Sequence, residues 1–169
     1  PGLEIEVYDS AGALVTTLYP PDPPPYPVKG YFSVAIGKPH PGSPFPVITA
    51  PHGLTLGGGC EITLGGQVRV AYAELYAGLV EVGVGLVPAG GGCLFLLQNM
   101  IKRIAKKNMG PTPPVQQAFE LIGYGKVSTS AADAMEKGIL NPKNDLVVFD
   151  KDDQIARAKD AALARLADF

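Results

Sequence analysis

Twelve of the seventeen prolines fall at or before Pro51, and Tyr19–Pro27 reads YPPDPPPYP. Proline fixes φ and removes an amide donor, so a core built on regular ladders cannot run through that segment. The stretch favours polyproline II, serving as a spacer or as a ligand for an SH3-type groove. Ahead of it, Leu3–Tyr8 and Leu14–Tyr19 read as two short strands around Asp9-Ser10-Ala11-Gly12, a hairpin pattern. The chain therefore divides into a Pro-rich segment, 1–44, and a second part, 45–169, in which a folded domain has to be built.

From Phe45 the texture changes. Pro46–Ala50 is an apolar run suited to a buried strand, and Gly57-Gly58-Gly59 leads into Cys60–Leu64, which opens a helix. Val68–Tyr72 reads as a strand, and an apolar helix runs from about Gly92 to Lys107. Ser130 with Asp133 is close to a capping box, and Gly138 is a C-terminal stop, giving a helix over 130–137. Asp152–Phe169 spaces Ile155, Lys159, Ala162, Leu163 and Leu166 as one face of a terminal amphipathic helix. Strands alternating with helices predict an α/β class.

Composition removes several functions. Net charge is −2, and the basic cluster Lys102, Arg103, Lys106, Lys107 is too local for a nucleic-acid footprint. That cluster reads as a solvated helix face or as a contact for phosphates. His40 and His52 have no metal-ligand spacing, so no metal is expected. Two cysteines form no disulfide framework, which suits a reducing cytoplasm. Val82–Ile101 is twenty residues without charge, yet Pro88 and its glycines split it, so no membrane span is expected. The N-terminal residues show no signal-peptide pattern.

Residues 39–101 carry four charges: Glu61, Arg69, Glu74 and Glu81. Burial of an isolated carboxylate is costly, so a glutamate in such surroundings is either paired or kept for proton work. Glu61 and Glu81 are the candidates; Glu74 reads as solvated or structural. The glycines before Glu61 allow close approach of a ligand to a helix N-terminus, where unpaired N–H groups favour an anion or a developing oxyanion. Tight backbone packing is the alternative use of the same glycines. Gly83–Pro88 lacks the third glycine of a dinucleotide fingerprint, and Asp150–Asp153 lacks the glycine and final Glu of a calcium loop.

Ile48–Gly92, with GGGCE, a second Glu twenty positions on and the turn around Pro88, resembles the active-site half of the crotonase (enoyl-CoA hydratase/isomerase) superfamily. AFELIGYGKVSTSAADAMEKGIL resembles the family's substrate-pocket helix and the segment after it. YAGLVEVGVGLVPAGGG and KVSTSA resemble the hydratase part of bifunctional 3-hydroxyacyl-CoA dehydrogenases. The resemblance implies a partial crotonase-like domain at 45–169: an incomplete spiral of ββα units with C-terminal helices.

It further implies roles. Glu61 would be the base on water, and Glu81 would deliver a proton to the α-carbon. Gly58 and Ile36 would supply the oxyanion-hole N–H groups, Ala89 a water-orienting backbone N–H, and Gly57 and Pro88 substrate contacts. Cys60 and Cys93 would be packing residues. Ala35-Ile36 stands where the family has Gly-Ala, and only eight residues separate Gly37 from Pro46. The implied activity is hydration of a 2-enoyl-CoA in fatty-acid β-oxidation, with an isomerase or a non-catalytic assembly remnant as alternatives. The CoA thioester is substrate, no cofactor is implied, and this chain shows no nicotinamide motif. Copies would assemble as trimers or hexamers, with no nucleic acid and no membrane as partners.

Overall fold

The computed structural model describes residues 5–8, 14–18, 35–36, 46–104 and 112–166, with side chains described within 46–103 and 113–165. Two compact units divide between Gly30 and Tyr31. In the first, strands β1 (Ile5–Tyr8) and β2 (Leu14–Leu18) pair antiparallel, as the hairpin pattern predicts. The polyproline reading of Tyr19–Pro27 lies outside the described residues. So do His40, Lys106 and Lys107.

The second unit begins earlier than the change of texture at residue 45, because strand β3 (Ala35–Ile36) pairs antiparallel with β4 (Ile48–Thr49). Strand β4 then pairs parallel with β6 (Val68–Tyr72), and β6 with β8 (Leu146–Val148), giving the order β3-β4-β6-β8. A separate ribbon joins β5 (Gly53–Leu56) and β7 (Leu75–Gly78) in parallel, with Leu56 opposite Gly78. Helix α1 (Gly58–Gly65) leaves the end of β5, and a 3₁₀ turn (Glu81–Val84) follows β7. Helices α2 (Gly92–Ile104), α3 (Thr112–Gly123), α4 (Ala131–Glu136) and α5 (Gln154–Leu166) complete the unit.

Burial follows from pattern. Val47–Ala50 and Val68–Ala71 are near-continuous apolar runs and are buried, as expected of strands covered on both faces. The larger core joins α1, β7, α2, α3 and α4 through Cys60, Leu64, Leu75, Leu96, Met100, Ala118 and Ala134. Ser130 caps α4 by accepting from the Asp133 amide at 3.1 Å, as its sequence predicts.

The terminal helix is amphipathic, but its buried face is not the expected one. Ile155 and Leu163 are 60% and 54% exposed, whereas Gln154 and Ala158 are buried. The reason is hydrogen bonding combined with small side chains. Gln154 Nε2 donates to Pro51 O at 2.9 Å and to Val70 O at 2.7 Å, and Ala158, Ala161 and Ala162 let the helix lie close on β4 and β6. A doubly bonded amide costs little to bury, so it takes the place an apolar side chain would normally occupy.

Among the described residues no helix is long and apolar enough to cross a membrane. The uncharged run 82–101 is instead a 3₁₀ turn, a loop and most of α2.

Candidate active site

The two candidate carboxylates leave neighbouring parallel strands at the same end of the ribbon. β5 passes through Gly57 into α1, which carries Glu61 in its first turn; β7 passes through Leu79 and Val80 into the turn that begins at Glu81. Gly57 ties the two exits together: its N–H donates to Gly78 O at 2.9 Å. Its φ of +54° is a conformation that glycine adopts without a Cβ penalty. A Cβ at Gly57 would lie 3.5 Å from Glu81 Oε1, so Gly57 and the Glu81 carboxylate are in contact range.

Glu61 is held from the other side. The Gly92 N–H, at the start of α2, donates to Glu61 Oε1 at 2.9 Å. A helix N-terminus favours a carboxylate through its free N–H groups and its positive dipole end. Glycine is needed on this wall: a Cβ at Gly90 would come 2.7 Å from Glu61 Oε2, and one at Gly92 would come 2.9 Å from Glu61 Oε1.

Glu81 differs. Both of its carboxylate oxygens are buried without a hydrogen-bond partner. A buried orphan carboxylate is expensive, and such groups persist where a site uses them. Gly58, the first residue of α1, has an N–H outside the helix's own bonding, and nothing lies within 4 Å of the position its Cβ would take. An oxyanion donor needs that free donor and open approach.

Both glutamates are felt by both thiols. Burial first, then the charges of Glu81 and Glu61, push the Cys60 thiol up to about 12, with Arg69 pulling the other way. Burial and the same two carboxylates raise Cys93. Cys60 is fully buried and packs, as expected. Cys93 is half-buried, and its Sγ donates to Pro88 O at 3.5 Å, so it also fastens the turn before α2.

The structure thus brings together Glu61, Glu81 and Gly57, with Gly58 on the same helix as Glu61. Pro88 is buried and Ala89 exposed in the adjoining turn. Ile36, on β3, pairs with Ile48 at the start of β4. Glu74 is exposed at the bend between β6 and β7. Arg103 donates to Met135 O and Glu136 O, closing the end of α4, so its role in the basic cluster is structural. Among the described residues, no three His, Cys, Asp or Glu side chains gather as a metal site.

Sequence reasoning missed two partners. The Gly92–Glu61 bond has its signal in Gly90-Gly91-Gly92, a second glycine run mirroring the one before Glu61. The other is Arg69, the lone cation within 39–101, which pairs with Asp145 at 3.0 Å. Arg69 Nε also donates to Thr63 O at 3.2 Å and Nη2 to Leu64 O at 2.8 Å.

Residues 42–107 match the profile of the family described as Enoyl-CoA hydratase/isomerase. A protein described as "Probable 3-hydroxyacyl-CoA dehydrogenase" from Bacillus subtilis (strain 168) is 41% identical over 117 residues, which is 69% of this chain and 14% of that protein. The "Peroxisomal bifunctional enzyme" of Cavia porcellus is 36% identical over 96 residues, 57% of this chain and 11% of the relative. The enoyl-CoA hydratase structure from Mycobacterium tuberculosis H37Rv superposes with a TM-score of 0.55 at 28% identity, covering 77% of this chain and 47% of that one. The chain therefore spans a small part of the first two of these relatives and about half of that hydratase.

Proposed function

We propose that this chain, a partial crotonase-fold domain resembling the hydratase part of bifunctional enzymes, adds water across the double bond of a 2-enoyl-CoA in β-oxidation. One observation carries the reading: two carboxylates emerge from adjacent parallel strand ends, one fixed by the Gly92 N–H, the other buried without a partner.

In this reading a water lies between Glu61 and Glu81. Glu61 takes a proton from it as the oxygen bonds to the β-carbon. The π electrons move toward the thioester, whose oxygen accepts from Gly58 N–H. Glu81 delivers a proton to the α-carbon, and the proton held by Glu61 restores the pair. Charge grows on the thioester oxygen during the step, so a preorganised donor lowers the barrier; losing one typically costs about 100- to 1,000-fold in rate. Ile36 is the position from which a second donor is proposed to come, and Ala89 N–H is proposed to orient the water. Gly57 and Pro88 would border the substrate.

The reaction calls for no group beyond the CoA thioester of the substrate. Two free thiols suit a cytoplasmic setting, and homo-oligomeric assembly is proposed on the same resemblance.

The test is loss of the conjugated thioester absorbance when purified chain meets a short 2-enoyl-CoA, beside a Glu81→Gln preparation. Turnover in the parent and none in the variant is expected. A folded parent that binds acyl-CoA without hydrating it would favour the isomerase; one that neither binds nor turns over would leave an assembly remnant.

A further inference from the structure

We infer that Arg69 is a positioning residue for the carboxylate-bearing helix α1, gripping it from the end opposite the candidate site. What α1 does rests on the hydratase reading; where α1 sits does not.

The grip is a fork held on both sides. Arg69 lies on β6 and is 5% exposed. Its Nε and Nη2 donate to Thr63 O and Leu64 O, carbonyls of the last turn of α1, and Thr63 O also accepts from the Gly66 N–H and from Thr49 Oγ1. Its Nη1 meets both oxygens of Asp145, at 3.0 and 3.3 Å. Asp145 also accepts from the Arg69 amide at 3.0 Å and from the Asn141 amide at 2.6 Å, so the acceptor is itself immobilised. No basic residue lies in the last turn of α1, and the Arg69 guanidinium supplies the cation that this end of a helix dipole favours.

α1 has eight residues, and its other end carries Gly58 and Glu61. A helix this short moves as a rod, so slack at Thr63–Leu64 reaches Glu61 undiminished. The far end has little tolerance, because Glu61 Oε1 bonds the Gly92 N–H while Glu61 side-chain atoms fill the space beside Gly90 and Gly92. Stability alone does not account for the arrangement. A buried ion pair replaced by apolar residues of similar volume is often as stable or more so. Such a replacement cannot hold the two carbonyls.

The test compares Arg69→Met/Asp145→Leu, Arg69→Lys and the parent in unfolding stability, kcat and KM for hydration, and the pH profile of alkylation at Cys93, read by mass spectrometry. Cys93 is raised in part by Glu61 and Glu81, so its profile gauges where Glu61 stands without needing turnover; Glu61→Gln calibrates it. The expected result for the double variant is a folded protein of lower stability, because the Arg69 and Asn141 amides lose their Asp145 acceptor, with KM within about twofold, kcat lowered at least tenfold, and a Cys93 profile shifted down toward that of Glu61→Gln. Parent-like kcat with an unchanged Cys93 profile overturns the inference. If the parent itself does not hydrate, the hydratase reading fails, and the Cys93 profile alone decides the role of Arg69. If the double variant does not fold, Arg69→Lys decides: it keeps the charge but not the fork, and parent-like behaviour overturns the inference.

Discussion

The Gly92 amide and the Glu61 carboxylate are joined at 2.9 Å, although they belong to different helices. The N-terminus of α2 therefore orients a carboxylate presented by α1, and the chemistry of α1 depends on the placement of α2.

Replacing Glu61 by Gln keeps the shape and leaves the amide oxygen able to accept from Gly92, but removes the proposed base. Hydration is expected to fall by about 100- to 10,000-fold, with the far-ultraviolet dichroism unchanged. Retained hydration would remove Glu61 from the mechanism.

Glu81 should trade stability for function. Its oxygens are buried and unpaired, and leaving such groups unsatisfied costs on the order of 1–3 kcal/mol. Glu81→Met is expected to raise the denaturant midpoint by that order of free energy while abolishing turnover. A variant both inactive and less stable would show that Glu81 has a partner in solution.

Gly90→Ala tests placement without removing any functional group. The added Cβ would sit 2.7 Å from Glu61 Oε2, the far end of a flexible side chain. Stability should change little because that end can move aside. Moving it misplaces the proposed base, and kcat should drop about 10- to 100-fold.

High pH should unfold the domain through Cys60. Its thiol has a pKa raised from 9.0 to about 12 in the folded chain, so the unfolded state releases its proton first as pH rises. Folded stability attributable to this thiol is whole below pH 9.0 and declines as pH rises toward about 12. Thermal unfolding midpoints measured across that window should fall with pH, and Cys60→Ala should flatten the slope.

Much of the site was legible because its signals are local. Glu61 and Glu81 stood out as charges in an apolar field, and the glycine run marked the α1 N-terminus. Ser130 and Asp133 announced α4 in the same way. What stayed hidden depended on distant partners. Gly53–Leu56 and Leu75–Gly78 are short, and become strands only because they pair with one another. Arg69 looked like an isolated cation until the fold brought Asp145, 76 positions away, beside it. The face of α5 was misread for a related reason. Gln154 looks polar in sequence, and only the carbonyls of Pro51 and Val70 make it a buried residue.

The stretch between the two glutamates has no slack. Gly57 N bonds Gly78 O, Gly66 N bonds Thr63 O, Gln67 N bonds Val47 O, Tyr72 N bonds Pro51 O, and Ala73 N bonds Val148 O. Each is a fixed station, so the interval behaves as a measured length of track whose sleepers are bolted down. Exposed side chains along it, such as Ile62, Glu74 and Tyr76, can be exchanged while the track keeps its gauge. An added or deleted residue would throw one carboxylate out of step with the other, so this interval should accept changes of identity at its exposed positions and none of length.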